Sequence, residues 1–185
     1  LIDRIKEKIK NSSSKFYWVC PLIEESEELD LKAAEERYKI LKKYFKNKVL
    51  LMHGRLSEIE KEEIMTKFKN EDYKILVSTT VIEVGVDIPS ATTIVIEHAE
   101  RFGLAQLHQL RGRVGRNDIQ SYCILLHKDN IGEISKQRID IMKQTNDGFK
   151  IAEEDLKIRG PGEILGKKQS GSPSFYVADL SFDYD

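Results

Sequence analysis

Cysteine is scarce in this chain of 185 residues: there are two, Cys20 and Cys123. Both lie inside apolar runs, Tyr-Trp-Val-Cys and Tyr-Cys-Ile-Leu-Leu, which suits small buried hydrophobes of a reducing compartment and excludes a disulfide framework. No run approaches the roughly eighteen apolar residues of a membrane span, and no signal-peptide pattern opens the chain, so a cytoplasmic location is expected. The first residue is Leu1 rather than Met, which suggests a piece of something longer. Charge of one sign is missing too. A net charge of −1 gives no general attraction to nucleic acid, so any such role needs a local basic patch. The four histidines (53, 98, 108 and 127) and the two cysteines show no metal-ligand spacing, and no bound metal is expected. A phosphate-binding loop is also lacking. Gly162-Glu-Ile-Leu-Gly-Lys-Lys168 has three residues between its glycines where such a loop needs four, and Lys168 stands where a hydroxyl is required.

What is present is an alternation. Forty per cent hydrophobic residues can bury a core, and one third charged residues give a solvated surface. Strands are expected over Phe16–Ile23, Val49–Met52, Ile75–Ser78, Thr93–Glu97 and Tyr122–His127. Between them, helices are expected over Leu31–Phe45, Ser57–Phe68 and Leu104–Gly112, with another over Glu133–Gln144. Ala34, Tyr38, Leu41 and Phe45 recur at helical spacing in the first. Ser57 with Glu60 can cap the second, whose stripe is Ile64 and Phe68. Near-continuous apolar strands alternating with helices predict an α/β fold, a parallel sheet covered on both faces. Ligands of such sheets bind beyond the carboxyl ends of the strands, where His53-Gly54-Arg55, Thr79-Thr80 and His98–Arg101 fall. After about Lys128 the pattern breaks into a Gly- and Pro-rich tail from Gly160 to Pro173. The expected division is 1–130 for the α/β lobe and 131–185 for an appendage.

The basic patch is at Arg101–Arg116, with four arginines (101, 111, 113 and 116) and no acid. Within it, Gln109-Leu-Arg-Gly-Arg-Val-Gly-Arg116 carries Arg113 and Arg116, each after a glycine. A guanidinium fork fits a phosphoryl group bidentately, and glycine lets the backbone approach closely. Arginine delivered to a γ-phosphate accelerates its transfer about a thousand-fold or more. The alternative is a surface turn making salt bridges.

This run resembles motif VI of superfamily 2 helicases. Val77–Pro89 (Val-Ser-Thr-Thr-Val-Ile-Glu-Val-Gly-Val-Asp-Ile-Pro) resembles their motif V, Phe16–Pro21 their motif IV strand, and Met52–Ser57 a segment that lies near the DNA backbone. The resemblance implies a RecA-like lobe. It makes Arg113 and Arg116 arginine fingers, with Gln109 beside the γ-phosphate. Thr79 becomes a ligand of a DNA phosphate, with Thr80 and the His53, Gly54, Arg55 turn along the same DNA track. Glu83, Gly85 and Asp87 would link that track to the nucleotide cleft. Read as residues alone, Val81, Val84 and Val86 are core packing, and Asp87 serves equally as a helix cap or an arginine partner.

Ile96–Arg111 and the tail Asp147–Gly166 with Gln169-Ser-Gly171 are similar to the RecG family of bacterial branched-DNA helicases. There, as in the transcription-repair translocase Mfd, the tail is a helical hairpin and loop coupling ATP-driven lobe movement to travel along duplex DNA. Arg159 and Gln169 would belong to that element; without the resemblance, Arg159–Gly162 is a rigid turn. His108 and Pro161 favour RecG over Mfd, whose partner would be RNA polymerase. A nucleic-acid-binding module without ATPase activity is the rival of another class. The resemblance implies ATP and Mg²⁺ held chiefly by a preceding lobe, branched double-stranded DNA as partner, a wedge domain in the same polypeptide and a monomeric enzyme. It also implies an inactive fragment without that lobe.

Overall fold

A computed structural model describes residues 1–21, 27–79, 88–116 and 119–159. Thr80, Glu83, Gly85, Asp87 and Gln169 lie outside the described residues.

Five strands, β1 (Lys15–Val19), β2 (Val49–Met52), β3 (Ile75–Ser78), β4 (Ala91–Ile96) and β5 (Tyr122–Leu125), form one sheet of order β2-β3-β1-β4-β5. Every pairing is parallel. Among the described residues, six α-helices accompany them: α1 (Ile2–Asn11), α2 (Glu27–Phe45), α3 (Glu58–Asn70), α4 (Leu104–Arg111), α5 (Glu133–Gln144) and α6 (Gly148–Arg159). The expected parallel sheet with helices on both faces is the architecture observed.

Side-chain alternation along the strands builds two cores. Phe16, Trp18, Ile75, Val77 and Val95 face one way, against Ile5 of α1 and Ala34, Leu41 and Phe45 of α2. Tyr17, Val19, Leu76, Ile94 and Ile96 face the other, against Met65 and Phe68 of α3 and Leu104, Leu107 and Leu110 of α4. The same second core includes Ile139, Ile141 and Met142 of α5 and Ile151 of α6. A strand buried on both faces reads as a continuous apolar run, and β1, β3 and β4 are buried at every position.

Several boundaries move. Strand β1 closes at Val19 rather than Ile23: the Cys20 amide still donates to Ser78 O (2.8 Å), but Pro21 has no amide to continue the ladder. Helix α1 is missed by sequence reasoning, although Ile2, Ile5 and Ile9 recur at helical spacing and pack on the first core. In α3 the expected capping box is present. Ser57 Oγ accepts from the Glu60 amide (3.3 Å), and a Glu60 carboxylate oxygen accepts from the Ser57 amide (2.8 Å). Its buried stripe is Lys61, Met65 and Phe68, with Ile64 half-buried at its edge. Lys15 is also buried and serves as a C-terminal cap of α3. Its ammonium donates to Phe68 O, Glu71 O (2.8 Å) and Tyr73 O (3.0 Å).

Candidate nucleotide and nucleic-acid surfaces

The strand register aligns Met52, Ser78, Val19, Ile96 and Leu125 across the sheet. The next residue of each strand therefore forms the carboxyl edge: His53, Thr79, Cys20, Glu97 and Leu126, in sheet order. Two of the anticipated DNA-contacting residues, His53 and Thr79, stand side by side there on β2 and β3.

Their surroundings differ. His53-Gly54-Arg55 forms a tight turn closed by the Leu56 amide on His53 O (3.2 Å), with Gly54 and Arg55 exposed. His53 is half-buried, and burial holds its imidazole below the ordinary value, with Arg55 acting in the same direction and Glu35 and Glu60 opposing. The turn leads into the start of α3, where the Glu60 carboxylate already occupies the end of the helix dipole. A phosphate approaching here would meet Arg55 rather than the helix end. Thr79 is 2 % exposed, and its hydroxyl has no hydrogen-bond partner among the described residues.

Further along the edge, Glu97 collects a cluster. Its Oε1 accepts from Trp18 Nε1 (2.9 Å) and lies 2.6 Å from Arg37 Nε, with the Arg37 guanidinium stacked 5.7 Å from the Trp18 ring. Cys20 adjoins this carboxylate, and burial first, then Glu97, pushes its thiol up to about 12. His98 follows in the left-handed region (φ 49°), with Nδ1 3.1 Å from Glu100 Oε1.

The arginine turn lies elsewhere. Helix α4 buries Leu104, Leu107 and Leu110 and leaves Gln109 exposed. It ends at Arg111, and the Gly112 amide closes it on His108 O (3.0 Å). Val114 is buried and anchors the turn beyond. Arg113 is half-buried; among the described residues its side chain has no hydrogen bond or ion pair. Arg116 is exposed and folds back, its Nε donating to Gly112 O (3.0 Å). The two glycines differ. Gly115 takes φ 78°, which favours glycine, whereas Gly112 is helical and a Cβ there would sit 3.4 Å from Gln109 O. A Cβ at Gly115 would stand 3.6 Å from that of Ser121, so this turn lies beside the amino end of β5.

The structure therefore does not bring Arg113 and Arg116 together with His53 and Thr79. Strands β2 and β5 are opposite edges of the sheet, about 19 Å apart at the usual strand spacing. Nor is the basic patch uniform. Arg111 turns away from the others: its Nη1 donates to Met142 O (3.0 Å) and Thr145 O (2.8 Å) at the end of α5. Arg159 closes α6 with its Nε 3.0 Å from Asp155 Oδ2, and its guanidinium lies beside Gly103 at the start of α4. Sequence reasoning missed the Glu97 cluster and the inward role of Arg111. The available signals were an acid closing an apolar strand and an arginine one turn from the buried Leu107. Among the described residues no group of three or more His, Cys, Asp or Glu could hold a metal, and no helix is long and apolar enough to cross a membrane.

Residues 1–118 match the family model of the helicase conserved C-terminal domain, and residues 145–184 match that of the ATP-dependent DNA helicase RecG, domain 3, C-terminal. The chain is 52 % identical over 189 residues to the ATP-dependent DNA helicase RecG of Bacillus subtilis, covering all of this chain and 28 % of that protein. It thus spans about a quarter of the length of the curated relatives it matches. A solved structure of RecG bound to a three-way DNA junction superposes with TM-score 0.69 at 48 % identity, over 88 % of this chain and 22 % of that one. The C-terminal domain of the DEAD-box protein Dbp5 shares the fold alone, at TM-score 0.55 and 21 % identity, over 84 % of this chain and 89 % of that one. The RecA-like fold is thereby established, and the chain belongs to the family of helicase conserved C-terminal domains, in its RecG branch.

Proposed function

We propose that the chain is the C-terminal motor lobe of an ATP-dependent helicase and translocase acting on branched DNA, such as stalled forks and four-way junctions, in recombination and repair. The observation that carries this reading is the arginine turn. Arg113 leaves a turn pinned on both sides by buried Leu110 and Val114, and among the described residues its guanidinium has no side-chain partner. Such a guanidinium suits an anion brought by another body, because this chain has no phosphate-binding loop of its own. Arg113 and Arg116 would hold the γ-phosphoryl group, with Gln109 beside it, while the preceding lobe holds most of the nucleotide and its Mg²⁺. Bound ATP supplies the phosphoryl group whose hydrolysis drives the motor. The described residues bring a fixed donor fork and no acid of their own to this turn, which fits that division.

Thr79, Thr80, His53, Gly54 and Arg55 would follow the DNA backbone on the other side of the sheet, with Glu83, Gly85 and Asp87 linking them to the nucleotide cleft. The sheet, about 19 Å wide from β2 to β5 at the usual strand spacing, gives the lobe room for two separate surfaces. Residues 1–130 would form this lobe and 131–185 the coupling appendage, with Arg159 and Gln169 serving translocation. The enzyme would work as a cytoplasmic monomer beside a wedge domain of the same polypeptide. The test is hydrolysis. The isolated chain is expected to show no DNA-stimulated ATPase, and Arg116→Ala in the full-length enzyme to lose about a thousand-fold in kcat with nucleotide binding retained. Turnover by the isolated chain, or an unchanged kcat in the variant, overturns the reading.

A further inference from the structure

We infer that the outer face of α2, with the turn after it, is a second nucleic-acid surface that takes a single-stranded arm of branched DNA. Lys39, Lys43 and Lys46 meet its phosphates and Tyr44 its bases. The inference rests on the DNA-acting reading above and concerns residues that the nucleotide cleft and the DNA track do not use.

From Arg37 to Ser57 the chain has seven cations and no acid, a longer acid-free run than the one at the arginine turn. Lysine in the last turn of a helix is favoured by the helix dipole and calls for no ligand. Here the charge goes beyond that. Lys39 and Lys43 stand one turn apart on α2, both exposed, and repel one another. Lys46 continues the row past the helix end, about 10 Å from Lys39 along the axis. Among the described residues none of these three has an ion pair. Asp72 does not supply one, because it is already shared by Lys48 (3.4 Å) and Lys74 (3.0 Å).

The flanks of the row are aromatic and apolar. Tyr44 is 51 % exposed and Ile40, one turn earlier, 40 %. The Lys6 ammonium of α1 lies 4.8 Å from the centroid of the Tyr44 ring. On the other flank Lys42 rests 5.3 Å from the Tyr38 ring and donates to its hydroxyl (3.3 Å). A duplex lying on such a surface offers it phosphates and sugars, which have no use for an exposed ring and an isoleucine. Unstacked bases do. Lysines that follow a backbone, beside an aromatic ring on which bases stack, hold single strands without regard to sequence.

This row is also well away from the DNA track. Helix α2 follows β1 and leads into β2, so the row ends at the amino edge of the sheet. Lys48, at its end, precedes His53 by the length of β2, about 16 Å. A strand held here leaves His53 and Thr79 free, and a branched substrate can occupy both places.

The experiment measures binding of an oligothymidylate and of a blunt duplex to the full-length enzyme over a range of salt. For the Lys39→Gln, Lys43→Gln double variant, oligothymidylate affinity should fall about tenfold at about 50 mM salt. Its log–log salt slope should become shallower by about 1.4, at ~0.7 for each phosphate contact on a single strand. Tyr44→Ala should also cost about tenfold, but with the slope unchanged, as expected for lost stacking. Lys46 takes φ 53°, where glycine is unstrained, so Lys46→Gly should keep or raise the Tm while affinity falls about threefold. Blunt-duplex affinity and duplex-stimulated kcat should stay at wild-type values throughout. Unchanged oligothymidylate binding in the double variant ends the inference. So does an equal loss on the blunt duplex, a loss confined to binding of a polyglutamate peptide, or a lowered Tm in Lys46→Gly. Arg116→Ala should bind oligothymidylate as the wild type does whatever its kcat, which keeps failure of the motor reading separate. A wild-type enzyme that binds neither probe overturns both.

Discussion

The two faces of the sheet are built from the same kinds of side chain but are connected differently. On the α1/α2 side, Ile5, Ala34, Leu41 and Phe45 close over the strands, and a polar cluster, Trp18–Glu97–Arg37, ties α2 to β1 and β4. On the other side, α3 and α4 cover the strands and α5 and α6 join the same core. Among the described residues, α4, α5 and α6 pack on one another on that second face. The first face is a support. The second is a set of linked bodies, so equal losses of packing on the two should have unequal consequences.

The largest expected effect tests this directly. Leu41 and Leu107 are both fully buried, one on each face, and truncation of either to Ala should cost about 2–5 kcal/mol in unfolding experiments. In the full-length enzyme at a temperature where both variants remain folded, Leu107→Ala should also lose coupled unwinding while Leu41→Ala retains it. Equal activity in the two would break the distinction. A smaller effect is expected at the polar cluster. Glu97→Ala leaves Trp18 Nε1 without its acceptor and Arg37 without its counter-charge, and because Arg37 is a third exposed the cost should be about 2 kcal/mol, below that of a fully buried pair. Trp18 is the only tryptophan, so its emission should shift in the same variant; an unmoved spectrum would mean that the cluster does not hold the ring.

The smallest effect lies where the two layers meet, at His53, which has Glu35 of α2 and Glu60 of α3 near it. Burial, the leading cause, depresses the folded-state pKa below the unfolded value of about 6.5. The unfolded chain then binds the proton first as pH falls. Stability present above about pH 6.5 should therefore decline as the pH drops from there towards the folded-state pKa, and His53→Asn should flatten that slope. A slope identical in the variant would assign the decline to other groups.

Much of this architecture was legible in advance. Five apolar runs, a Ser57–Glu60 box and the helical spacing of Ala34, Leu41 and Phe45 each express a local rule, and each element appears in the expected order, with boundaries shifted by a few residues. Helix α1 escaped notice because its three isoleucines are spread among charged residues and acquire meaning only against the first core. The arginine turn was visible as a pattern, yet the fates of its arginines were not.

The sequence by itself determined the parallel sheet, its two-faced burial and the family, because apolar periodicity and short motifs are local. Only the tertiary structure decided which arginine points where. Arg111, Arg113 and Arg116 are alike in type and nearly adjacent in the chain. One of them faces the end of a helix that begins twenty-two residues further on. Non-local carbonyls, brought there by the packing of α5 on α4, turn it inward, and no local rule records their approach.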